Sequence, residues 1–210
     1  MYDVIIVGAG PGGIFSAYEL TRLRPELKVA VFEAGHPLKN RRCPIDGVRV
    51  KSCIACKSCS IMSGFGGAGA FSDGKYNITN DFGGTLYEYL GKAKALELMR
   101  YVDQINMAYG GEGTKLYPPA GTKFKKLCMQ NDLHLLDASV RHLGTDINYV
   151  VLENLYAYLK EKVTFYFDTP VESVAAVDGG YQVTCKAGSF SCSQCVISVG
   201  RSGSKWMEAV

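Results

Sequence analysis

An α/β fold with a central parallel sheet and a β-meander is what the 210-residue sequence predicts. Three observations carry that expectation. The run Val4-Ile5-Ile6-Val7 passes through a glycine turn into a helical stretch, and a second apolar run, Val29-Ala30-Val31-Phe32, ends in Glu33. Continuous apolar runs of this length mark strands buried on both faces. Towards the other end lie four more strand-like runs, Val163 to Phe167, Val171 to Val177, Tyr181 to Cys185 and Cys195 to Val199. Asp178-Gly179-Gly180 supplies a hairpin turn between the second and third of these.

Composition narrows the classes. A chain of this length supports one sizeable core more readily than two. The net charge of +3 offers no polyanion-binding surface, so no nucleic-acid partner is expected. No uninterrupted apolar run reaches about 18 residues, so no membrane span is expected. Met1-Tyr2-Asp3 leads straight into the first apolar run without a basic leader segment or cleavage site, which predicts a cytoplasmic location. In such a reducing compartment the eight cysteines read as metal or redox chemistry before structural disulfides.

The opening unit is strand, glycine turn, helix, strand, acid. Gly8-Ala9-Gly10-Pro11-Gly12-Gly13 places glycine at all three positions of a dinucleotide fingerprint, and Glu33 stands 20 residues beyond Gly13. Gly8 permits the tight turn, Gly10 lets backbone approach a pyrophosphate, and Gly13 allows close packing of helix on strand. The helix N-terminus offers free N–H groups and partial positive charge to the phosphates. Glu33 is placed to accept two hydrogen bonds from a ribose diol and to repel a 2′-phosphate. Ala34 and Arg42 complete this candidate set. The fingerprint fits FAD and NAD alike; its position at the start of the chain favours FAD.

A second glycine cluster spans residues 63 to 75, Ser63-Gly64-Phe65-Gly66-Gly67-Ala68-Gly69-Ala70-Phe71-Ser72-Asp73-Gly74-Lys75, and five of these thirteen residues are glycine. Such a loop can lay its backbone against a flat ligand. Phe65, Ala68, Ala70 and Phe71 make it less polar than a flexible linker. Gly66, Gly67, Ala68 and Gly69 are therefore candidate flavin contacts.

Together with Arg141-His142-Leu143-Gly144-Thr145-Asp146 and Val199-Gly200-Arg201-Ser202-Gly203, in that order, these motifs resemble those of the uncharacterised bacterial FAD-dependent dehydrogenases. That group falls within the glutathione-reductase-like flavoprotein superfamily. The resemblance implies FAD held by the first βαβ unit in a Rossmann-like domain, with the isoalloxazine ring near the second glycine loop. It also implies Val171 backbone at the adenine and Gly200 close to the dinucleotide. Proteins of the group are about twice as long, so the chain is expected to be an N-terminal portion whose missing part completes the flavin site.

Cys53-x-x-Cys56-x-x-Cys59 follows Cys43 by ten residues. Two-residue gaps let successive thiolates converge on one centre. A 4Fe–4S cluster is the leading reading, a tetrahedral zinc the second, redox-active thiols the third, and four unligated cysteines the last. Arg41, Arg42, Lys51 and Lys57 stand nearby to offset thiolate charge. A flavin takes a hydride as two electrons and a cluster passes them on singly, so the two would be chemically compatible. Cys192-x-x-Cys195, Cys128 and Cys185 read as structural cysteines.

Between the two regions, Ala95, Leu98, Met99, Val102, Ile105 and Tyr109 fall at helical spacing as a core stripe. Gly91 divides a short helix from this longer one, Gly110-Gly111 ends it, Tyr117-Pro118-Pro119 is a connector, and Lys123 to Gln130 forms another short helix. Asp146 caps a helix from Ile147 to about Lys160, with Val151, Leu152, Leu155 and Leu159 inward. The domain division predicted is 1–42 with 145–210 as the dinucleotide-binding domain and 43–144 as a loop-rich and helical excursion. Of the histidines, His36 sits in a turn after Glu33, His134 in a strand-like run, and His142 is a candidate acid or base. Lys75 is the second candidate catalytic residue.

The expected function is an FAD-dependent oxidoreductase (dehydrogenase), or the flavin-binding part of one, acting on a small-molecule substrate, with NAD(P)H as a candidate electron donor. The alternatives are a non-catalytic nucleotide- or metal-binding fragment and an NAD-dependent dehydrogenase.

Overall fold

The computed structural model describes residues 1–117, 123–136 and 138–209. Among them the strands are β1 (Tyr2–Val7), β2 (Val29–Phe32), β3 (Lys75–Ile78), β4 (Leu116–Tyr117), β5 (Ser139–His142), β6 (Thr164–Tyr166), β7 (Val171–Val177), β8 (Gly180–Cys185) and β9 (Gly188–Ile197). The α-helices are α1 (Pro11–Leu23), α2 (Leu86–Leu90), α3 (Lys92–Asn106), α4 (Lys123–Gln130), α5 (Gly144–Leu159) and α6 (Ser204–Met207). Two compact units result, one of Met1–Phe71 with Leu152–Val210 and one of Ser72–Val151.

The first unit holds a six-stranded sheet in the order β6-β2-β1-β9-β8-β7. Strands β6, β2, β1 and β9 run parallel, and β7, β8 and β9 form the antiparallel meander. One long strand therefore serves both parts: Cys192 stands opposite Tyr2 on one side and Tyr181 on the other. The apolar run at Cys195 to Val199 marks only the end of this strand. Its earlier part, Gly188 to Gln194, alternates Phe190 and Cys192 with Ser189, Ser191 and Ser193, a period-two signal that the run at Cys195 overshadows, and Gly188 to Cys192 pair with β8.

Burial of β1 and β2 on both faces explains their continuous apolar sequence. Val4 to Val7 and Val29 to Phe32 are all buried. Ile5, Val7, Ala30 and Phe32 join Val171, Val183, Cys185 and Cys192 in one layer. The Phe32 ring stacks on Tyr166 at 4.5 Å and meets the edge of Phe190 at 5.0 Å. Helix α1 packs against β1 and β2, burying Ile14 and Ala17. From α5, Leu155 and Leu159 are also buried.

The second unit contains an antiparallel sheet, β3-β5-β4, where sequence patterning indicates loop, helix and one strand-like run at His134. Its strands are only two to four residues long, so the alternation of Lys75-Tyr76-Asn77-Ile78 is too brief to stand out in the sequence. The expected core stripe of α3 is also only partly inward. Ala95 and Ile105 are buried, but Leu98 is 42% exposed, and Asp103 and Asn106 take inward positions. The cause is a buried ion pair: Arg141 donates from Nε to Asp103 Oδ1 at 2.6 Å and from Nη2 to Oδ2 at 2.8 Å. A bidentate pair satisfies both charges where a lone one would be prohibitive.

Gly91, at φ 76°, separates α2 from α3 as expected, and a wider turn over Met107–Gly111 ends α3. Helix α5 begins at Gly144, so Asp146 lies in its first turn instead of at the cap. His134 is exposed in an irregular segment before β5, not in a strand. Pro118 and Pro119 lie outside the described residues. No helix among those described is long and apolar enough to cross a membrane.

Phe32 is fully enclosed, whereas Tyr89 is 82% exposed. Truncating Phe32 to Ala is expected to cost about 3–5 kcal/mol of unfolding free energy. Tyr89→Ala is expected to stay within about 0.5 kcal/mol. Denaturant titration followed by circular dichroism checks both.

Candidate functional site

The fingerprint glycines fall into two groups. Gly8 has φ +103°, and a Cβ there would lie 2.3 Å from the Ser198 carbonyl oxygen. At Gly13 a Cβ would lie 1.9 Å from the Gly8 carbonyl oxygen and 3.3 Å from Ile6, as close helix-on-strand packing requires. Internal contacts thus account for both. Gly10 differs: its φ of −74° suits any residue, and the nearest atom to a Cβ is Gly67 Cα at 3.9 Å. Pro11 occupies the first position of α1, where a missing N–H costs nothing. Helix geometry leaves the Gly12 and Gly13 N–H groups without an intrahelical acceptor.

The second glycine loop faces the first. Gly66 donates its N–H to the Ala9 carbonyl at 2.8 Å. A Cβ at Gly67, which has φ +60°, would lie 3.1 Å from Gly10 Cα. Phe65 anchors the loop, fully buried, with ring centroids 5.0 Å from Tyr156 and 5.9 Å from Phe165. A short 3₁₀ turn, Gly67–Phe71, follows, with Ala68 and Gly69 exposed. Packing therefore fixes this loop, as its apolar residues imply.

Two buried charges tie the loops together. Glu33 directly follows β2, and its carboxylate accepts three backbone N–H groups, from Ala9 at 2.7 Å, Gly35 at 2.8 Å and Gly64 at 2.9 Å. A carboxylate offers about four acceptor positions, so one remains, on Oε2. The ribose diol expected to engage Glu33 twice can engage it once while this network stands. Arg41 does the complementary work, donating from Nε to Ser60 O, from Nη1 to Phe65 O and Gly67 O, and from Nη2 to Ile61 O, at 2.7–2.9 Å. Its guanidinium also lies over the Phe71 ring at 4.9 Å. Burial lowers the Arg41 pKa, and the charges of Glu33 and Cys59 oppose that shift. Of the pair Arg41-Arg42, Arg41 turns inward; Arg42 and Ala34 are exposed.

The remaining candidates lie elsewhere. Val171 is buried at the start of β7. Gly200, at φ +64°, is exposed and precedes the turn Arg201–Gly203. Ser198 escaped the sequence reading, although its backbone and hydroxyl crowd Gly8 and Gly12. Lys75 and His142 both belong to the second unit, opposite one another across β3 and β5. Lys75 Nζ pairs with Asp73 at 2.7 Å; that ion pair, with help from His142, holds the Asp73 carboxyl below its ordinary value. In the first unit His36 Nδ1 meets Asp168 Oδ1 at 2.5 Å.

Cys43, Cys53, Cys56 and Cys59 line one cavity of about 80 Å³. All four are free thiols; the first three are exposed and Cys59 is half-buried. Among the described residues no three His, Cys, Asp or Glu side chains converge tightly enough to hold a single metal ion. At the other end of the chain, burial raises the Cys192 thiol and pushes that of Cys195 up to about 11, which agrees with structural cysteines there.

No family model matches the chain. An uncharacterised protein of Clostridium beijerinckii is 29% identical over 185 residues, which cover 87% of this chain and 29% of that protein. A thiamine thiazole synthase of Yarrowia lipolytica is 54% identical over 33 residues, 16% of this chain and 10% of that one. Among solved structures, glycine oxidase from Geobacillus kaustophilus aligns at a TM-score of 0.53 and 17% identity, over 95% of this chain and 55% of that one. Glycine oxidase from Bacillus cereus aligns at 0.53 and 14%, over 100% and 58%. L-amino acid deaminase from Proteus vulgaris, lacking its specific insertion, aligns at 0.51 and 15%, over 100% and 56%. Identities this low establish the fold, a Rossmann-like α/β domain with a parallel-rich sheet, which these oxidases and deaminases share. The chain spans under a third of the Clostridium protein and little more than half of these structures.

Two outcomes follow from the geometry. Glu33→Gln turns an NH₂ group towards one or more of the Ala9, Gly35 and Gly64 donors, so a loss of about 1–3 kcal/mol in denaturant unfolding is expected. With its thiol at about 11, Cys195 is about one-thousandth thiolate at pH 8. Timed iodoacetamide labelling of the folded, metal-free chain, read by peptide mass, should modify Cys43, Cys53 and Cys56 well before Cys195.

Proposed function

We propose that this chain binds the ADP half of FAD and is the flavin-binding part of an oxidoreductase. The observation that carries the reading is Gly10. Neither its backbone conformation nor any packed neighbour demands a glycine, since the nearest atom to a Cβ is 3.9 Å away. A side chain here would project beside a helix N-terminus and the second glycine loop, and bare backbone at such a place is what a bound diphosphate requires.

In this reading the Gly12 and Gly13 N–H groups face the diphosphate with the partial positive charge of α1. The remaining acceptor position of Glu33 takes one ribose hydroxyl, and its negative charge disfavours a 2′-phosphate. Gly66, Gly67, Ala68 and Gly69 present backbone from the opposite side, with Phe65 and Arg41 holding them in place. Val171 and Gly200 are assigned to the adenine and dinucleotide by their place in the chain. When bound, FAD supplies a two-electron hydride acceptor. For moving a proton the chain offers His142, beside Lys75 and Asp73. The resemblance of the motifs to FAD-dependent dehydrogenases supports the flavin, and the oxidase and deaminase neighbours are compatible with it.

Gly10→Ala separates ligand from fold. The added methyl has room within the chain, so the unfolding midpoint should hold while FAD affinity, measured by calorimetry, falls tenfold or more, about 1.4 kcal/mol. Equal affinity of the variant and the parent chain would overturn the pose. Mass spectrometry of the released cofactor decides against the second reading, an NAD-dependent dehydrogenase, if it finds FAD.

A further inference from the structure

We propose that Cys43, Cys53, Cys56 and Cys59 are the ligands of a 4Fe–4S cluster. The four belong to one stretch of 17 residues and line one cavity of about 80 Å³, walled partly by Ile45 and Ile54.

Packing does not account for these residues. Cysteine is among the most buried residue types, and Cys185 and Cys192 follow that habit within the core layer. Cys43, Cys53 and Cys56 are exposed free thiols, an oxidation liability with no contribution to a core. Their segment also lacks internal scaffolding. From Arg41 to Cys59 there is no helix or strand, and its one well-made feature is a turn in which Asp46 Oδ1 accepts the N–H groups of Val48, Arg49 and Val50. Long loops without regular structure inside a compact unit are usually functional or held by something else. A bound inorganic centre supplies that hold.

Ala55, within Cys53-Ile54-Ala55-Cys56, has φ 50°, which an alanine seldom adopts. Cys53 and Cys56, on either side of it, both line the cavity. Arg41 then fixes the far end of the run by gripping the carbonyls of Ser60 and Ile61, directly after Cys59. Cation character at Arg41, with Arg42, Lys51 and Lys57 along the loop, offsets the charge of four thiolates.

Four cysteines on one cavity, three of them at two-residue gaps and one apart, match a 4Fe–4S core, which binds each cysteine through a different iron. The site needs no bound flavin.

The test uses the full chain, purified without oxygen and supplied with ferric iron, sulfide and a thiol that reduces part of the iron. Expected are four iron and four sulfide per chain after desalting, with a broad brown absorbance that dithionite bleaches. Cys56→Ser and Cys43→Ser should each lose at least half of the bound iron with an unchanged circular dichroism spectrum. Cys128→Ser should keep all of it. Bound iron that survives both ligand substitutions would overturn the assignment. So would a colourless chain carrying one zinc in elemental analysis, or a Cys53–Cys56 disulfide as the sole product under the same conditions. Because metal content is read without FAD, the result stands apart from any failure of flavin binding.

Discussion

A buried carboxylate that collects amide protons and a buried guanidinium that collects carbonyl oxygens hold the first unit's two glycine loops in one arrangement. Glu33 takes N–H groups from Ala9, Gly35 and Gly64, and Arg41 gives hydrogen bonds to four carbonyls between Ser60 and Gly67. Neither charge would tolerate burial without such partners. Each loop backbone would in turn have buried polar groups unpaired if the charges were removed. Bare glycine backbone can approach a ligand only if something else keeps it from collapsing, and these two side chains, with Phe65 in its aromatic setting, do so.

Much of the first unit was legible because its chemistry is local. Strand, turn, helix, strand and acid follow in one uninterrupted stretch, and each glycine has a reason that spacing alone reveals. Glu33 was visible as an acid at the right distance, but its use was not. Its partner Gly64 lies 31 positions away, and no pattern within β2 announces that the carboxylate is already three-quarters occupied. Arg41 and Arg42 are indistinguishable in sequence; only the fold turns one inward and leaves the other in solvent.

The second unit shows where patterning fails. Helical periodicity assumes that apolar side chains face inward, yet α3 buries Asp103 and leaves Leu98 exposed because Arg141 supplies a partner 38 residues away. Hydrophobic spacing carries no information about such a pair. The strands β3 and β5 have four residues each, so the alternation of Lys75-Tyr76-Asn77-Ile78 is too short to mark a strand. In each case the missing signal is a long-range backbone or charge pairing that has no local counterpart.

Functionally, the arrangement separates glycines the fold needs from one it does not. Gly8 and Gly13 are spent on internal contacts, whereas a Cβ at Gly10 would make only an ordinary 3.9 Å contact with Gly67. The claim that the bare backbone at Gly10 receives a diphosphate is tested most directly by amide NMR of the isotopically labelled chain titrated with FAD. Large shifts are predicted at Gly10, Gly12, Gly13, Gly67 and their immediate neighbours. Binding that leaves those amides unmoved, with shifts gathered elsewhere in the chain, would contradict the account.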